Sequence, residues 1–383
     1  MDTLIFKVVG IVPETKEAST LLLEPAGGGS FGPSVAEGLL QARQDEPAEP
    51  FSYEAGQFLT FLISLHGRIL RRSYSIASTP GVDPFLSVTI KRLPNGEVSR
   101  HLLDHCKVGD LLSSLPPFGR FTLATHPGRQ RNIFFIAAGS GMVPIFSLLK
   151  KALNEEPLSR ITLLSQDRNE HTLLYWKSLE ELERRYPSRF KWFPLLSRPL
   201  DGKMTSRRIT NILLEELIHR QLALFPGNVS PGSGWQESPE TMMGPGSLFY
   251  LCGPLPFMRM AQFTLRLMGF ADSSIKKESF MVDFVPGPPF FPDYSPRNAT
   301  IHFGHRTYAI QVVYPDSILT AALRAGIPLP YSCRGGRCSS CAARCLKGRV
   351  KMSINEVLSE KDLREGWVLT CVGYSETDVE IEV

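Results

Sequence analysis

Hydrophobic and polar positions change their period twice along this chain, which divides it into three stretches. In the first, Leu4–Val12 and Ser19–Leu23 are strand-like, Gln57–Ser64 alternates loosely, and Ser73–Ala77 and Leu86–Ile90 follow at short intervals. Short strands at such spacing predict an antiparallel β-barrel. A helix over Arg100–Cys106 interrupts them, with Ser99 as its candidate N-cap. From Arg131 the pattern becomes one of continuous apolar runs. Ile133–Ala138 is followed by glycines and a helix to about Leu153, and strands at Ile161–Ser165, Phe190–Leu195 and Leu248–Leu251 come next. Helices near Leu173–Arg185, Ser206–Glu216 and Phe257–Met268 alternate with them. Wholly apolar strands separated by helices are buried on both faces, so this stretch predicts an α/β doubly wound parallel sheet. In the third, Thr300–Phe303 and Arg306–Val313 flank a Gly304-His305 turn, a hairpin signal. Ser317–Ala325 then predicts a helix ended by Gly326 at C′, before a cysteine-bearing loop and two short strands. That order fits a small α+β domain of the β-grasp type.

Three segments carry no such period. Pro25–Pro50 is rich in Gly, Ser, Ala and Glu and Pro226–Gly246 in Gly, Pro and Ser, and both predict surface insertions. Pro286–Pro296 holds five prolines and predicts a semi-rigid linker. The expected domains are therefore 1–126, 127–285 and 299–383, with 286–298 joining the last two.

Composition changes this picture little. The 383 residues are 43% hydrophobic and 21% charged, and a net charge of +4 is too mild to imply nucleic acid. The longest apolar run, Ile133–Leu149, is broken by Gly139-Ser140-Gly141 and Pro144, so no membrane insertion is expected. No secretory signal is visible after the Met-Asp-Thr start. Seven cysteines with no framework-like spacing predict a reducing, cytoplasmic setting.

Four of those cysteines carry the strongest chemical signal. Cys333, Cys338 and Cys341 read C-x4-C-x2-C, and Cys371 follows after 29 residues. The pattern is that of a plant-type [2Fe–2S] cluster, whereas structural zinc favours two C-x2–4-C pairs. Gly335 and Gly336 let the loop wrap closely, so that N–H groups point at the sulfurs. Cys345 follows too soon to be a ligand and is expected to be a small buried strand residue. Arg334 and Arg337 on the same loop either face a protein acceptor or merely solvate it. His101 and His105, four apart, lack a third ligand and predict a solvated helix face.

Three weaker motifs gain meaning from their order. Arg72-Ser73-Tyr74-Ser75 sets a guanidinium beside a phenol and a hydroxyl, a combination suited to a pyrophosphate and a flat ring. Gly96-Glu97-Val98-Ser99 opens a helix, whose free N–H groups can seat a phosphate. Pro117–Phe121 would close that pocket. Gly139-Ser140-Gly141-Met142-Val143-Pro144 follows the first parallel strand, with Pro144 where a third glycine would stand. Cys252-Gly253-Pro254 ends another strand at the carboxyl edge where open sheets bind ligands; Cys252 is equally readable as a plain strand residue.

Together with Glu278-Ser279-Phe280, these motifs follow the order found in ferredoxin–NADP reductase-like flavoproteins. With a plant-type ferredoxin domain at the C-terminus, the chain resembles the reductase components of oxygenases over almost its full length. The resemblance implies FAD in the first domain, held by Arg72, Tyr74, Ser75, Lys91, Gly96, Val98 and Ser99. It implies nicotinamide in the second, held by Gly139, Gly141, Pro144, Gly253 and Pro254, and cluster ligands at Cys333, Cys338, Cys341 and Cys371. Ser75, Cys252 and Glu278 are then the catalytic set around the meeting point of nicotinamide and flavin.

The order of cofactors also makes chemical sense. Nicotinamide delivers two electrons as hydride and a [2Fe–2S] cluster takes one, so a flavin must stand between. From Thr300 to Val383 there are ten Lys/Arg and nine Asp/Glu, a balance suited to delivery within one chain rather than by an acidic free ferredoxin. Arg168 and Arg198, after the second and third parallel strands, favour NADPH through its 2′-phosphate, while Asp167 would suit the NADH ribose. The expected function is electron transfer from NAD(P)H through FAD and the cluster to an oxygenase-type protein. A redox-sensing module and a general ferredoxin or dye reductase are the competing readings. The sequence leaves open the terminal acceptor, the oligomeric state and the roles of the two insertions.

Overall fold

The computed structural model describes residues 3–26, 51–202, 206–223, 246–280, 287–291, 293–331, 333–337 and 339–383. Both predicted insertions thus fall almost wholly outside the described residues. The chain forms two compact units, one up to Lys277 and one from Glu278 onward.

The first unit begins with strands β1 (Leu4–Thr15), β2 (Ala18–Pro25), β3 (Phe58–Leu65), β4 (Arg68–Ser75) and β5 (Leu86–Lys91), then helix α1 (Glu97–His105) and β6 (Leu111–Phe118). Their order across the sheet is β4-β3-β6-β1-β2-β5. A bridge between Ile76 and Val88 joins the two outer strands and closes the barrel around Phe6, Leu21, Leu59, Phe61 and Ile90. Strand β6 has no counterpart in the sequence pattern, because Pro116-Pro117 contradicts an interior strand. An irregularity in the β3–β6 register, between Phe58 and Thr60, accommodates the prolines.

The same unit continues with β7 (Asn132–Ala138), α2 (Met142–Glu155), β8 (Arg160–Asp167), α3 (Trp176–Arg185), β9 (Phe190–Leu196), α4 (Asn211–Ala223), β10 (Leu248–Cys252), α5 (Leu255–Leu267) and β11 (Ile275–Glu278). The sheet order is β11-β10-β7-β8-β9, and β10, β7, β8 and β9 run parallel. The predicted α/β doubly wound arrangement is therefore present, with apolar clusters on both faces. Pro194 within β9 is tolerated because β9 is an edge strand. Helix α3 starts later than its apolar pattern suggests, since Tyr175 takes a left-handed conformation at φ 61°. Helix α4 is shifted toward the C-terminus, with the Thr210 hydroxyl accepting the Leu213 N–H.

A polar seam fixes the barrel against the sheet. The Thr20 hydroxyl donates to Glu14 at 2.7 Å and also bonds Thr89, which in turn bonds the buried Tyr175 phenol. Lys150 pairs with Asp83, and Thr79 and Ser78 exchange hydrogen bonds with Ser147 of α2.

The second unit contains β12 (Arg297–Phe303), β13 (Arg306–Val312), α6 (Ile318–Arg324), β14 (Ala342–Lys347), β15 (Val350–Met352), α7 (Glu360–Arg364), β16 (Trp367–Leu369), β17 (Gly373–Ser375) and β18 (Val379–Glu382). The main sheet runs β13-β12-β18-β14-β16, the α+β arrangement expected, while β15 and β17 form a separate ribbon. Ser317 caps α6 through the Thr320 N–H, and Gly326 ends it at φ 78°, as the sequence predicts. The proline-rich stretch is not free along its length. Phe291 is 6% exposed, its ring lies 6.2 Å from that of Tyr314, and Lys351 sits over it.

Candidate flavin, nicotinamide and cluster sites

Alternation along β4 puts Arg72 and Tyr74 on one face and leaves Ser75 buried at the strand's end. Tyr74 packs on Phe61 with ring centres 5.8 Å apart. Burial pushes its phenol well above the usual tyrosine range, against the smaller opposing pull of Arg72, so it stays a neutral hydrogen-bonding group. Arg72, Tyr74, Gly96, Val98 and Ser99 line one cavity of about 540 Å³, together with Leu93, Pro94, Asn95 and Glu97. Five of the seven expected flavin residues thus converge. Lys91, the last residue of β5, is not in that lining. The loop 93–95 escaped sequence reasoning because it offers the cavity no motif.

The cap of α1 differs from expectation. Gly96, not Ser99, is the N-cap, and Ser99 lies within the first turn. Its hydroxyl accepts the Leu93 N–H and donates to the Gly96 carbonyl, each at 3.2 Å. A Cβ on Gly96 would sit 2.3 Å from that hydroxyl, so glycine is required for this closed loop. The first-turn N–H groups therefore stay available beside an exposed guanidinium, a donor set that fits a pyrophosphate.

The two glycine motifs of the sheet meet through β7–β10 pairing, which sets Cys252 opposite Ala137. This is where strand order reverses, the crevice position for ligands in open sheets. Gly141 packs directly on the next loop, since a Cβ there would lie 2.2 Å from the Cys252 carbonyl oxygen and 2.7 Å from the Gly253 nitrogen. Pro144 occupies the first turn of α2 without loss of a hydrogen bond. Ser75, Cys252 and Glu278 are each buried, at 7%, 0% and 5% exposure, at the ends of β4, β10 and β11. The Cys252 side chain belongs to the apolar core on the α2 face. In the second unit the Ser279 hydroxyl, next to Glu278 in sequence, is buried without a hydrogen-bond partner among the described residues.

Arg168 and Arg198 form a second group, at the carboxyl ends of β8 and β9, where the Arg198 N–H donates to the Arg168 carbonyl at 2.7 Å. The Asp167 carboxylate is engaged locally by the Arg168 N–H and the Thr172 hydroxyl. The Arg207 N–H donates to the Leu196 carbonyl, which brings exposed Arg207 and Arg208 to the same strand end. Sequence reasoning missed these two because they fall in a predicted helix.

In the second unit, Cys341 and Cys371 are 3% and 9% exposed and Cys333 is half-buried, while Cys338 lies outside the described residues. Pairing of β14 with β16 carries Cys371 to the loop, and Thr370 clamps the junction by donating its N–H and hydroxyl to the Cys341 carbonyl, both at 3.0 Å. The Gly335 N–H points at the Cys333 sulfur at 3.3 Å. Gly336 has φ 70°, and a Cβ there would meet Ile354 Cγ2 at 2.8 Å. Thiol donors, a backbone N–H aimed at sulfur and a glycine-only turn fit an iron–sulfur cluster. Among the described residues no three His, Cys, Asp or Glu side chains are grouped closely enough to hold a metal ion.

Two readings of nearby residues need correction. Arg337 does not face outward: it is 3% exposed and paired with Glu356. Cys345 is on β14 as expected but only half-buried. His101, half-buried, and His105, exposed, stack on one face of α1.

Three family models match, in the same order as these sites. Residues 38–123 match an oxidoreductase FAD-binding domain, 135–262 an oxidoreductase NAD-binding domain, and 302–376 a 2Fe-2S iron-sulfur cluster binding domain. The chain is 30% identical over 331 residues to one of the subunits of 1,2-phenylacetyl-CoA epoxidase from Escherichia coli K12, covering 84% of this chain and 86% of that protein. It is 29% identical over 380 residues to the ferredoxin reductase component of a 3-ketosteroid-9-alpha-monooxygenase from Mycobacterium tuberculosis, covering 97% and 93%. In fold it is similar to phthalate dioxygenase reductase, with a TM-score of 0.52 at 18% identity, over 100% of this chain and 98% of that one. The chain is an oxidoreductase with FAD-, NAD- and [2Fe–2S]-binding domains. It belongs to the family of oxygenase reductase components that includes this phenylacetyl-CoA epoxidase polypeptide.

Proposed function

We propose that this chain takes hydride from NADPH onto FAD and passes single electrons through its own [2Fe–2S] cluster to an oxygenase. When bound, the flavin converts a two-electron donation into one-electron deliveries. The observation that carries this reading is the convergence of Arg72, Tyr74, Gly96, Val98 and Ser99 on one cavity, in a chain that also carries the nicotinamide crevice and the cysteine loop.

The residues divide the task. Arg72 and the α1 N-terminus hold the pyrophosphate, Tyr74 covers the ring system and Ser75 donates near its reactive edge. Gly139, Gly141 and Pro144 admit the nucleotide, with Gly253 and Pro254 on the opposite wall, and Cys252 and Glu278 flank the nicotinamide. Arg168 and Arg198, reinforced by Arg207 and Arg208, favour a 2′-phosphate. Cys333, Cys338, Cys341 and Cys371 hold the iron. Arg334, exposed and stacked over Tyr331 at 4.2 Å, is the cluster-loop residue presented to an acceptor. Residues 1–126, 127–285 and 299–383 are the corresponding domains, with 286–298 between the last two. Among the described residues no helix is long and apolar enough to cross a membrane. Seven cysteines without framework-like spacing, four of them at the cluster positions, support a reducing, cytoplasmic setting.

Cys338→Ser tests the relay. FAD reduction by NADPH and transfer to a two-electron dye should survive, while one-electron delivery to a protein acceptor collapses. Stopped-flow absorbance follows flavin and cluster separately. Loss of flavin reduction with the first unit still folded would refute the linear order.

A further inference from the structure

We propose that Arg337 and Glu356 form a charge pair that tunes the reduction potential of the cluster on the 333–341 loop. The inference rests on the cluster assignment above.

Arg337 directly precedes a ligand position, yet its side chain is withdrawn from water, with Nε 3.1 Å from Glu356 Oε2. The Glu356 side chain is itself only 12% exposed. A guanidinium in that setting is held by compensating charge rather than by solvent. The acid is fixed to the loop a second time, because the Glu356 N–H donates to the Gly336 carbonyl at 3.2 Å. The segment carrying it is tied down by hydrogen bonds. The Ser353 N–H bonds the Val372 carbonyl at 2.9 Å, next to Cys371. Asn355 accepts the N–H groups of Val357 and Leu358 and donates to the Leu358 carbonyl. Gly336 lies flat on this floor, with no space for a Cβ against Ile354 or Val372.

A cluster becomes more negative by one charge on reduction. Two opposite charges beside it, shielded from solvent, nearly cancel as long as both are present. Removing one changes the net charge beside the loop by one unit at low dielectric, and the cluster responds with a definite sign. Glu356→Gln keeps the shape and an acceptor for Arg337 but leaves net positive charge, so reduction becomes easier. Arg337→Gln leaves net negative charge, so reduction becomes harder. Each change should move the reduction equilibrium on the order of tenfold, the scale of a unit charge acting across several ångströms of protein.

The test is an anaerobic redox titration of the full chain loaded with FAD and cluster, read by visible absorbance and electron paramagnetic resonance. Iron and sulfide are counted first on the parent chain; their absence there would fail the cluster assignment, not the pair. The expected result is a positive shift for E356Q, a negative shift for R337Q, and a double variant close to the parent. Arg337→Lys, which keeps the charge, should stay near the parent, and it decides the matter with E356Q if R337Q does not retain iron. Shifts of the same sign in both single variants, or unmoved potentials, would overturn the proposal. So would loss of iron in both neutral variants, because the pair would then be structural only.

Discussion

The tightest feature of the nucleotide crevice is the approach of Gly141 to the β10–α5 loop, and it gives a quantitative prediction. Gly141→Ala adds one methyl group where the Cys252 carbonyl oxygen lies 2.2 Å away, its carbon 2.4 Å and the Gly253 nitrogen 2.7 Å. All three are backbone atoms, so no side chain can swing aside. Restoring ordinary contact requires the α2 start and the β10 end to separate by about 1 Å. Both loops hang from paired parallel strands, Cys252 being opposite Ala137, so the separation strains the sheet edge. Overpacking of this kind costs about 1–3 kcal/mol. Gly141 has φ −60°, so the backbone conformation suits alanine and the whole effect is steric. Expressed in nucleotide binding, that energy is a weakening of roughly 5- to 150-fold. Titration with NADP and stopped-flow flavin bleaching measure it directly, and thermal unfolding measures any share taken by stability. FAD content should not change, since the flavin cavity is lined by β4 and the 93–99 segment. If G141A binds NADP as tightly as the parent and melts at the same temperature, the close approach is not what makes this glycine necessary.

Other outcomes follow from single contacts. Arg72→Ala should weaken FAD retention by about 1.5–3 kcal/mol, roughly 10- to 150-fold, through loss of a charge-assisted contact, as checked by flavin release on dilution. Gly336→Ala forces a side chain into φ 70° against Ile354, and should lower iron and sulfide content while NADPH-to-dye transfer persists. Glu14 is held above the usual carboxylate range, chiefly by burial. Its folded value exceeds its unfolded one, so its contribution is full below the unfolded value and is lost as pH rises through the raised one. Melting temperature measured across pH 4–8 should therefore fall less steeply with rising pH in Glu14→Gln than in the parent.

Periodicity revealed most of the fold because it is local. Apolar runs between helices announced the β7–β10 sheet, and Ser317 and Gly326 marked both ends of α6. It failed at β6, where Pro116-Pro117 argues against a strand and only the register irregularity opposite Phe58–Thr60 makes room for them. It also failed at the start of α3, where the left-handed Tyr175 delays the helix in favour of a buried hydroxyl network.

The sites divide in the same way. Spacing alone pointed to four cysteines as candidate ligands, because a cluster demands three sulfurs from one short loop. The motif order alone placed flavin before nicotinamide. Which atoms lie together was decided only in three dimensions. Arg337 and Arg334 look alike in sequence, yet Arg337 is buried because Glu356, nineteen residues on, folds beneath the loop. Ser99 looks like a cap until the turn at Gly96 takes that role. Arg207 and Arg208 become neighbours of Arg198 only through the bond to Leu196. Composition and period act over a few residues, whereas the partner of a charge is fixed by which strands pair, and that follows from the folding of the whole chain.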